Sequence, residues 1–193
     1  MFKIVINPGH SSVRFGAEDG INAAEKDYRW TREESDNNRL AGIVIRELYL
    51  DLRLEIKIMQ QSGYEKLSDL CNRIEKYAPD VLIALHRNAV SNPQAKGWSL
   101  WYHEPSREGK GLAISIANHL RKLPNIQEDR GGGVRSDYER FPGSGFAVLR
   151  TVPKGILFEG GFITNPIDEI WYDSATILVI IAEAIGRGMK DQI

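Results

Sequence analysis

The sequence contains a single cysteine, Cys71, so no disulfide can close within the chain. Leu67, Leu70 and Ile74 surround it at helical spacing, which makes packing the expected role of the thiol. Net charge is nearly absent: 25 Lys plus Arg against 26 Asp plus Glu leave −1, which excludes the strongly basic footprint of a nucleic-acid binder. Long hydrophobic runs are missing too. The longest, 175–185, is roughly half of the ~20 residues a membrane-spanning helix needs, so a buried helix is expected and stable membrane insertion is not. The apolar start, Met1 to Ile6, stops at Asn7-Pro8-Gly9 with neither the length nor the cleavage pattern of a signal peptide, so synthesis in the cytoplasm is the expectation. Gly143-Ser144-Gly145 is not the elbow of a serine hydrolase, and Gly131-Gly132-Gly133 follows no phosphate-cradling spacing.

What is present fits one domain. With 193 residues and 42% hydrophobic composition, the chain can bury a core without covalent staples, and no repeat or linker divides it. Apolar or alternating runs predict strands at Phe2 to Ile6, Leu54 to Met59, Val81 to Leu85, Trp98 to Tyr102, Phe146 to Leu149 and Gly155 to Phe158. Helical periodicity predicts helices from about Arg32 to Leu50, where Asn37, Ala41, Val44 and Leu48 share a face, and over Lys66 to Tyr77, Ser106 to Lys122 and Ser174 to Met189. The alternation implies an α/β single domain with a mixed, mostly parallel central sheet of about six strands flanked by helices. Residues 124–145 read as a long glycine-containing loop, either a binding loop or a surface excursion.

In open α/β sheets, sites form beyond the carboxyl ends of the strands. His10 follows Ile4-Val5-Ile6 by a Pro-Gly turn, His86 follows Val81 to Leu85 directly, and Glu159 follows Ile156-Leu157-Phe158. Two histidines with carboxylates are the ligand set of an open catalytic zinc site that leaves a position for water. The remaining ligand is sought at Thr31-Arg32-Glu33-Glu34. Thr31 and Glu34 fit a capping box, which would occupy Glu34 and leave Glu33 available, with Glu25 and Asp36 as alternatives. His103, after Ser99 to Tyr102, is an accessory candidate, while His119 falls within a helical pattern and reads as an edge residue.

With these residues in place, the chain resembles the zinc-dependent N-acetylmuramoyl-L-alanine amidases of the amidase-3 type, which cleave peptidoglycan. Ile4-Val5-Ile6-Asn7-Pro8-Gly9-His10 is similar to the family's opening strand and Pro-Gly-His motif. Glu33, with Asn37 and Ala41 at four and eight positions on, is similar to its glutamate ligand. Asp80 to Leu85 followed by His86-Arg87-Asn88-Ala89 resembles the apolar strand ending in His-x-Asn-Ala, and Arg73 and Ala78 sit where the family has a recurrent Arg and Ala. Glu159-Gly160-Gly161-Phe162-Ile163-Thr164-Asn165 resembles the motif that carries the family's catalytic glutamate. The chain departs from the usual Asp-Pro-Gly-His-Gly-Gly by having Asn7, Ser11 and Ser12, and the stretch between Val13 and Thr31 is long and charged.

The resemblance implies zinc (Zn2+) held by His10, Glu33 and His86, with Glu159 as the proton-handling carboxylate and Glu34 the rival third ligand. It implies a peptidoglycan substrate cut between the muramoyl lactyl group and L-alanine. Residues 1–193 are then the catalytic domain, without a separate wall-binding domain. A leaderless amidase further suggests an endolysin or mother-cell lytic enzyme that reaches the wall through a membrane lesion. The rival readings are a zinc peptidase acting on stem-peptide bonds and a non-catalytic wall-binding module. Trp98, Trp101 and Tyr102 are candidates for wall contact, with about half of them expected to pack inward.

Overall fold

The computed structural model describes residues 1–9, 23–49, 51, 53–62 and 65–193, with backbone alone for 23–32. The described residues form a sheet of β1 (Phe2–Pro8), β2 (Leu54–Ile58), β3 (Val81–Asn88), β4 (Ser99–Tyr102), β5 (Val134–Ser136) and β6 (Gly155–Phe162). The strand order is β2-β1-β3-β6-β4-β5. The first four strands in that order are mutually parallel, and β4 turns antiparallel against β6 while β5 runs parallel to β4. This is the mixed, mostly parallel six-stranded α/β sheet expected.

Both faces of the sheet are buried, and the alternation along each strand sorts residues between two cores. Ile4, Ile6, Ile83, Leu85, Ile156 and Phe158 pack into the larger core, with residues of α1 (Ala23–Leu48), α3 (Arg107–Leu120), α4 (Pro166–Asp173) and α5 (Ala175–Lys190). Val5, Leu82, Ala84, Trp101 and Leu157 point the other way, to α2 (Leu67–Tyr77) and a 3-10 turn at Ala147–Thr151. Continuous apolar runs such as 81–85 follow from this double burial. No helix among the described residues is long and apolar enough to cross a membrane.

Several expectations change. The run Phe146 to Leu149 is not a strand: Val148 and Leu149 fold as a 3-10 turn whose side chains fill the smaller core beside Trp101 and Leu157. The sixth strand is instead β5, inside the stretch read as a loop at 124–145, where it pairs Leu100, Trp101 and Tyr102 with Val134, Arg135 and Ser136. The first helix begins at Ala23 rather than near Arg32, so Thr31 is interior to it and cannot serve as its N-cap. A further helix, α4, starts from Asn165, whose side chain accepts from the N–H groups of Ile167 and Asp168. Trp98, Trp101 and Tyr102 are all buried, so none is available as a wall-contacting aromatic. Cys71 is half-buried on α2, and burial pushes its thiol up from the ordinary range.

Candidate active site

His86 is on β3 and Glu159 on β6, and the parallel register sets them opposite each other. Counting by twos from Leu82 and Leu157, both side chains project on the smaller-core face, as does Asn7 counted from Val5. Each follows the continuous apolar run of its strand toward the carboxyl edge, with β6 continuing past Glu159 to Phe162. Asn7 stands where the resembling family has aspartate, and its amide donates to the Met59 carbonyl at 2.6 Å, tying β1 to the segment after β2.

Glu33 arrives from the opposite face. It precedes Asn37, Ala41, Val44 and Leu48 at helical steps of three and four residues, so it shares the sheet-facing stripe of α1 and is 4% exposed, whereas Glu34 is half-buried. Glu33 Oε1 lies 3.5 Å from His86 Nδ1 and accepts the Arg87 backbone N–H at 3.1 Å and the Asn37 amide at 3.5 Å. Two ligands of a tetrahedral zinc with ordinary bond lengths stand about 3.4 Å apart, so this spacing fits a shared metal. Burial opposes protonation of His86, but hydrogen bonding to Glu33 and the charges of Glu159 and Glu33 outweigh it and hold the imidazole above its ordinary value. The same carboxylates would favour any cation at this edge.

Gly9 determines how the imidazole sits. Its N–H donates to the Leu85 carbonyl at 2.7 Å, and a Cβ at this position would overlap the His86 ring. His10 lies outside the described residues, as does the side chain of Glu25. Among the described residues, no group of three His, Cys, Asp or Glu side chains converges as a metal cluster. Asp36 binds Arg87 rather than joining the His86 edge. His119 pairs with Asp191 at 2.7 Å near the C-terminus, in keeping with an edge residue, and His103 Nδ1 is 2.9 Å from Asp137 Oδ2.

Arg87 is the residue that sequence reasoning overlooked. It points to the larger core with a side chain fully shielded from solvent, 2.6 Å from Asp36 and 2.5 Å from Glu169. Its guanidinium lies over the Tyr172 ring, 4.1 Å from the centroid. A charged residue inside a doubly buried strand was the available signal. The glycine-rich run after Glu159 has structural causes. A Cβ on Gly160 would overlap the Tyr172 hydroxyl, and Gly161 has φ +86°. Just beyond, Asp168 accepts the N–H groups of Phe162 and Gly97, each at 2.8 Å.

A cleft of about 270 Å³ opens over this edge. His86, Glu159, Asn7 and Gln61 supply polar groups, while Leu67 and Leu70 from α2 face Phe146 and Val148. The fold and the edge together define an α/β domain that sets an imidazole and a carboxylate in a mostly apolar cleft, with a second carboxylate, Glu33, buried behind the imidazole.

The chain belongs to the Amidase_3 family, described as N-acetylmuramoyl-L-alanine amidase, which it matches over residues 4–191. The probable cell wall amidase LytH of Staphylococcus aureus is 25% identical over 193 residues, which span 97% of this chain and 57% of that protein. The chain therefore covers little more than half the length of the curated relatives it matches. Among solved structures, the catalytic domain of CwlV, an N-acetylmuramoyl-L-alanine amidase from Bacillus (Paenibacillus) polymyxa var. colistinus, superposes with TM-score 0.77 at 21% identity, covering 99% of this chain and 97% of that one. The catalytic domain of the CD27L endolysin targeting Clostridia difficile gives 0.69 at 24% identity, covering 99% and 98%. At these identities the superpositions speak to the fold.

Proposed function

We propose that residues 1–193 act as one catalytic domain of a zinc-dependent peptidoglycan amidase. It would hydrolyse the amide between the lactyl group of N-acetylmuramic acid and the L-alanine of the stem peptide. Family membership supports the reaction class, and the 3.5 Å approach of Glu33 Oε1 to His86 Nδ1, beside Glu159, is the observation that carries the site assignment.

His86, Glu33 and His10 would hold the metal. The donor set suits zinc, because an imidazole and a carboxylate already stand at tetrahedral ligand spacing, and His10 follows Gly9, which abuts His86. Bound zinc supplies Lewis-acid chemistry, polarising a carbonyl and making water a stronger nucleophile near neutral pH. The chain's own groups do the rest. Glu33 is held by the Arg87 N–H and the Asn37 amide, so its carboxylate is oriented before substrate enters. Glu159, beside His86 in the cleft, takes a proton from the attacking water and returns one to the departing amine.

Mass spectrometry of digested peptidoglycan tests this. Release of whole stem peptides with a free L-alanine amino group, from uncut glycan, is the expected result. Cuts inside the stem would replace the reading with a peptidase. Glu159→Gln should keep full zinc stoichiometry while hydrolysis falls about 10²- to 10⁴-fold, and full activity in that variant would remove Glu159 from its role.

A further inference from the structure

The cleft has two unlike sides. The polar groups His86 and Glu159 stand at the strand ends, and Phe146, Ala147 and Val148 line the cleft as a continuous backbone segment that no part of the chemistry uses. This segment is held firmly for one so near the surface. Asp137, with no solvent exposure, accepts the Phe146 N–H at 3.0 Å, the Glu104 N–H at 3.1 Å and the His103 Nδ1 contact at 2.9 Å. The preceding Gly145 has φ +62°, and a Cβ there would overlap the Asp137 carboxylate, so the turn can approach only as glycine. From outside, Arg150 donates to the Ser144 carbonyl at 2.6 Å.

The Phe146 ring is fixed as well. It meets Trp101 edge-on at 5.8 Å and Phe141 at 5.2 Å, and the Trp101 indole donates to Ser99 Oγ at 3.0 Å. A buried carboxylate, a histidine and two aromatic partners thus serve one half-buried phenyl group at the mouth of the cleft. Such pre-positioning suits an apolar contact that must select substrate rather than merely cover the core.

We propose that Phe146, with Val148, forms the subsite that receives the side chain of the residue on the amine side of the scissile amide, and that it selects a small apolar side chain there. The proposal rests on the amidase reading above. The side of the cleft follows from sheet order. Glu159, which serves the leaving amine, is on β6, and Phe146 and Val148 pack with Leu157, two residues before it on the same face, and with Trp101 of β4, while Leu70 of α2 joins that cluster too. The amine-side residue therefore lies against Phe146. Asp137 is the positioning residue that holds this wall, acting through the Phe146 N–H and His103.

Soluble muramoyl tetrapeptides carrying L-alanine, glycine or L-aspartate as the first stem residue test this on the full chain. The unmodified protein should favour alanine over glycine by about tenfold in kcat/KM, the scale of one apolar group in a fitted pocket. Phe146→Ala should cut that preference to under about threefold by raising KM for the alanine substrate, with kcat changed less than about twofold. Phe146→Leu should keep most of the preference. Phe146→Arg should raise kcat/KM for the L-aspartate substrate about threefold or more, a gain that misfolding cannot produce. His103→Ala should raise KM with kcat retained, and His103→Gln should restore it. Cleavage with an unchanged alanine-to-glycine ratio in Phe146→Ala, and no gain in Phe146→Arg, would overturn the subsite alone. Absence of cleavage of every muramoyl peptide by zinc-loaded unmodified protein would overturn the amidase reading and this proposal with it.

Discussion

Arg87 Nη1 lies 2.6 Å from Asp36 Oδ2, and this buried pair joins β3 to α1 at the level of the candidate site. The same residue donates its backbone N–H to Glu33, while its side chain reaches Glu169 on α4. One strand residue therefore presents His86 to the cleft on one side and organises the supporting carboxylates on the other. Replacing Arg87 with Met leaves Asp36 buried and Glu169 half-buried without that charge, a loss of about 3–5 kcal/mol. Lys should not rescue it, because a point charge cannot span two carboxylates and stack on Tyr172 as a planar guanidinium does. Urea unfolding of the three proteins measures both effects.

Glu33 and Glu34 are neighbours in sequence but separate in the fold. Glu33→Ala should lower bound zinc, measured by plasma mass spectrometry after dialysis, to below about a tenth of stoichiometric, and Glu34→Ala should leave it near one. The reverse pattern would transfer the ligand role to Glu34. Chelator treatment of the unmodified protein should abolish hydrolysis, and added zinc should restore it.

Gly9 abuts the His86 ring with no room for a methyl group. Gly9→Ala should displace the imidazole and reduce activity by about 100-fold, the cost of roughly an ångström at reacting groups. Its thermal midpoint should fall only slightly. An active Gly9→Ala protein would show that the ring position is not critical.

The pH dependence of stability has a definite sign at Glu65. Its carboxyl is held below its ordinary value by hydrogen bonds from Arg73, which makes two 2.7 Å contacts and donates to the Gln60 carbonyl at 2.8 Å. A carboxyl depressed in the folded state contributes stability above its unfolded value, lost as pH falls through the folded one. Arg73→Met should therefore lower stability near neutrality by no more than about 1 kcal/mol, since the arginine is exposed. The difference between the two proteins should shrink in acid. Thermal midpoints between neutral and strongly acidic pH test it; a gap that widens in acid would contradict the assignment.

The fold was legible wherever both faces of an element are buried. Ile4-Val5-Ile6, Val81 to Leu85 and Ile156-Leu157-Phe158 read as strands because neighbours cover them on two sides, so their apolar runs are unbroken. Phe146 to Leu149 carries a similar run for a different reason, packing on α2 and Trp101 as a turn. Hydrophobicity records burial, not the hydrogen-bond partner. Val134-Arg135-Ser136 has no strand pattern of its own and becomes β5 only because β4 offers it an edge.

The sequence by itself determined the strand-end chemistry: which imidazole and which carboxylate follow an apolar run, and which motifs surround them. That information is local, carried by the two-residue period of strands and by residues that stop them. The tertiary structure alone decided the rest. The capping argument for Glu33 fails, because α1 begins at Ala23, yet the structure still brings Glu33 to His86 through its place on the sheet-facing stripe. Arg87 turned from a spacer into the hub between α1, β3 and α4, and Phe146 from a strand residue into a cleft wall held by Asp137. The pairings of Glu33 and Arg87 join residues far apart in the chain, and the energies of all of them depend on distance and burial, which no local pattern records.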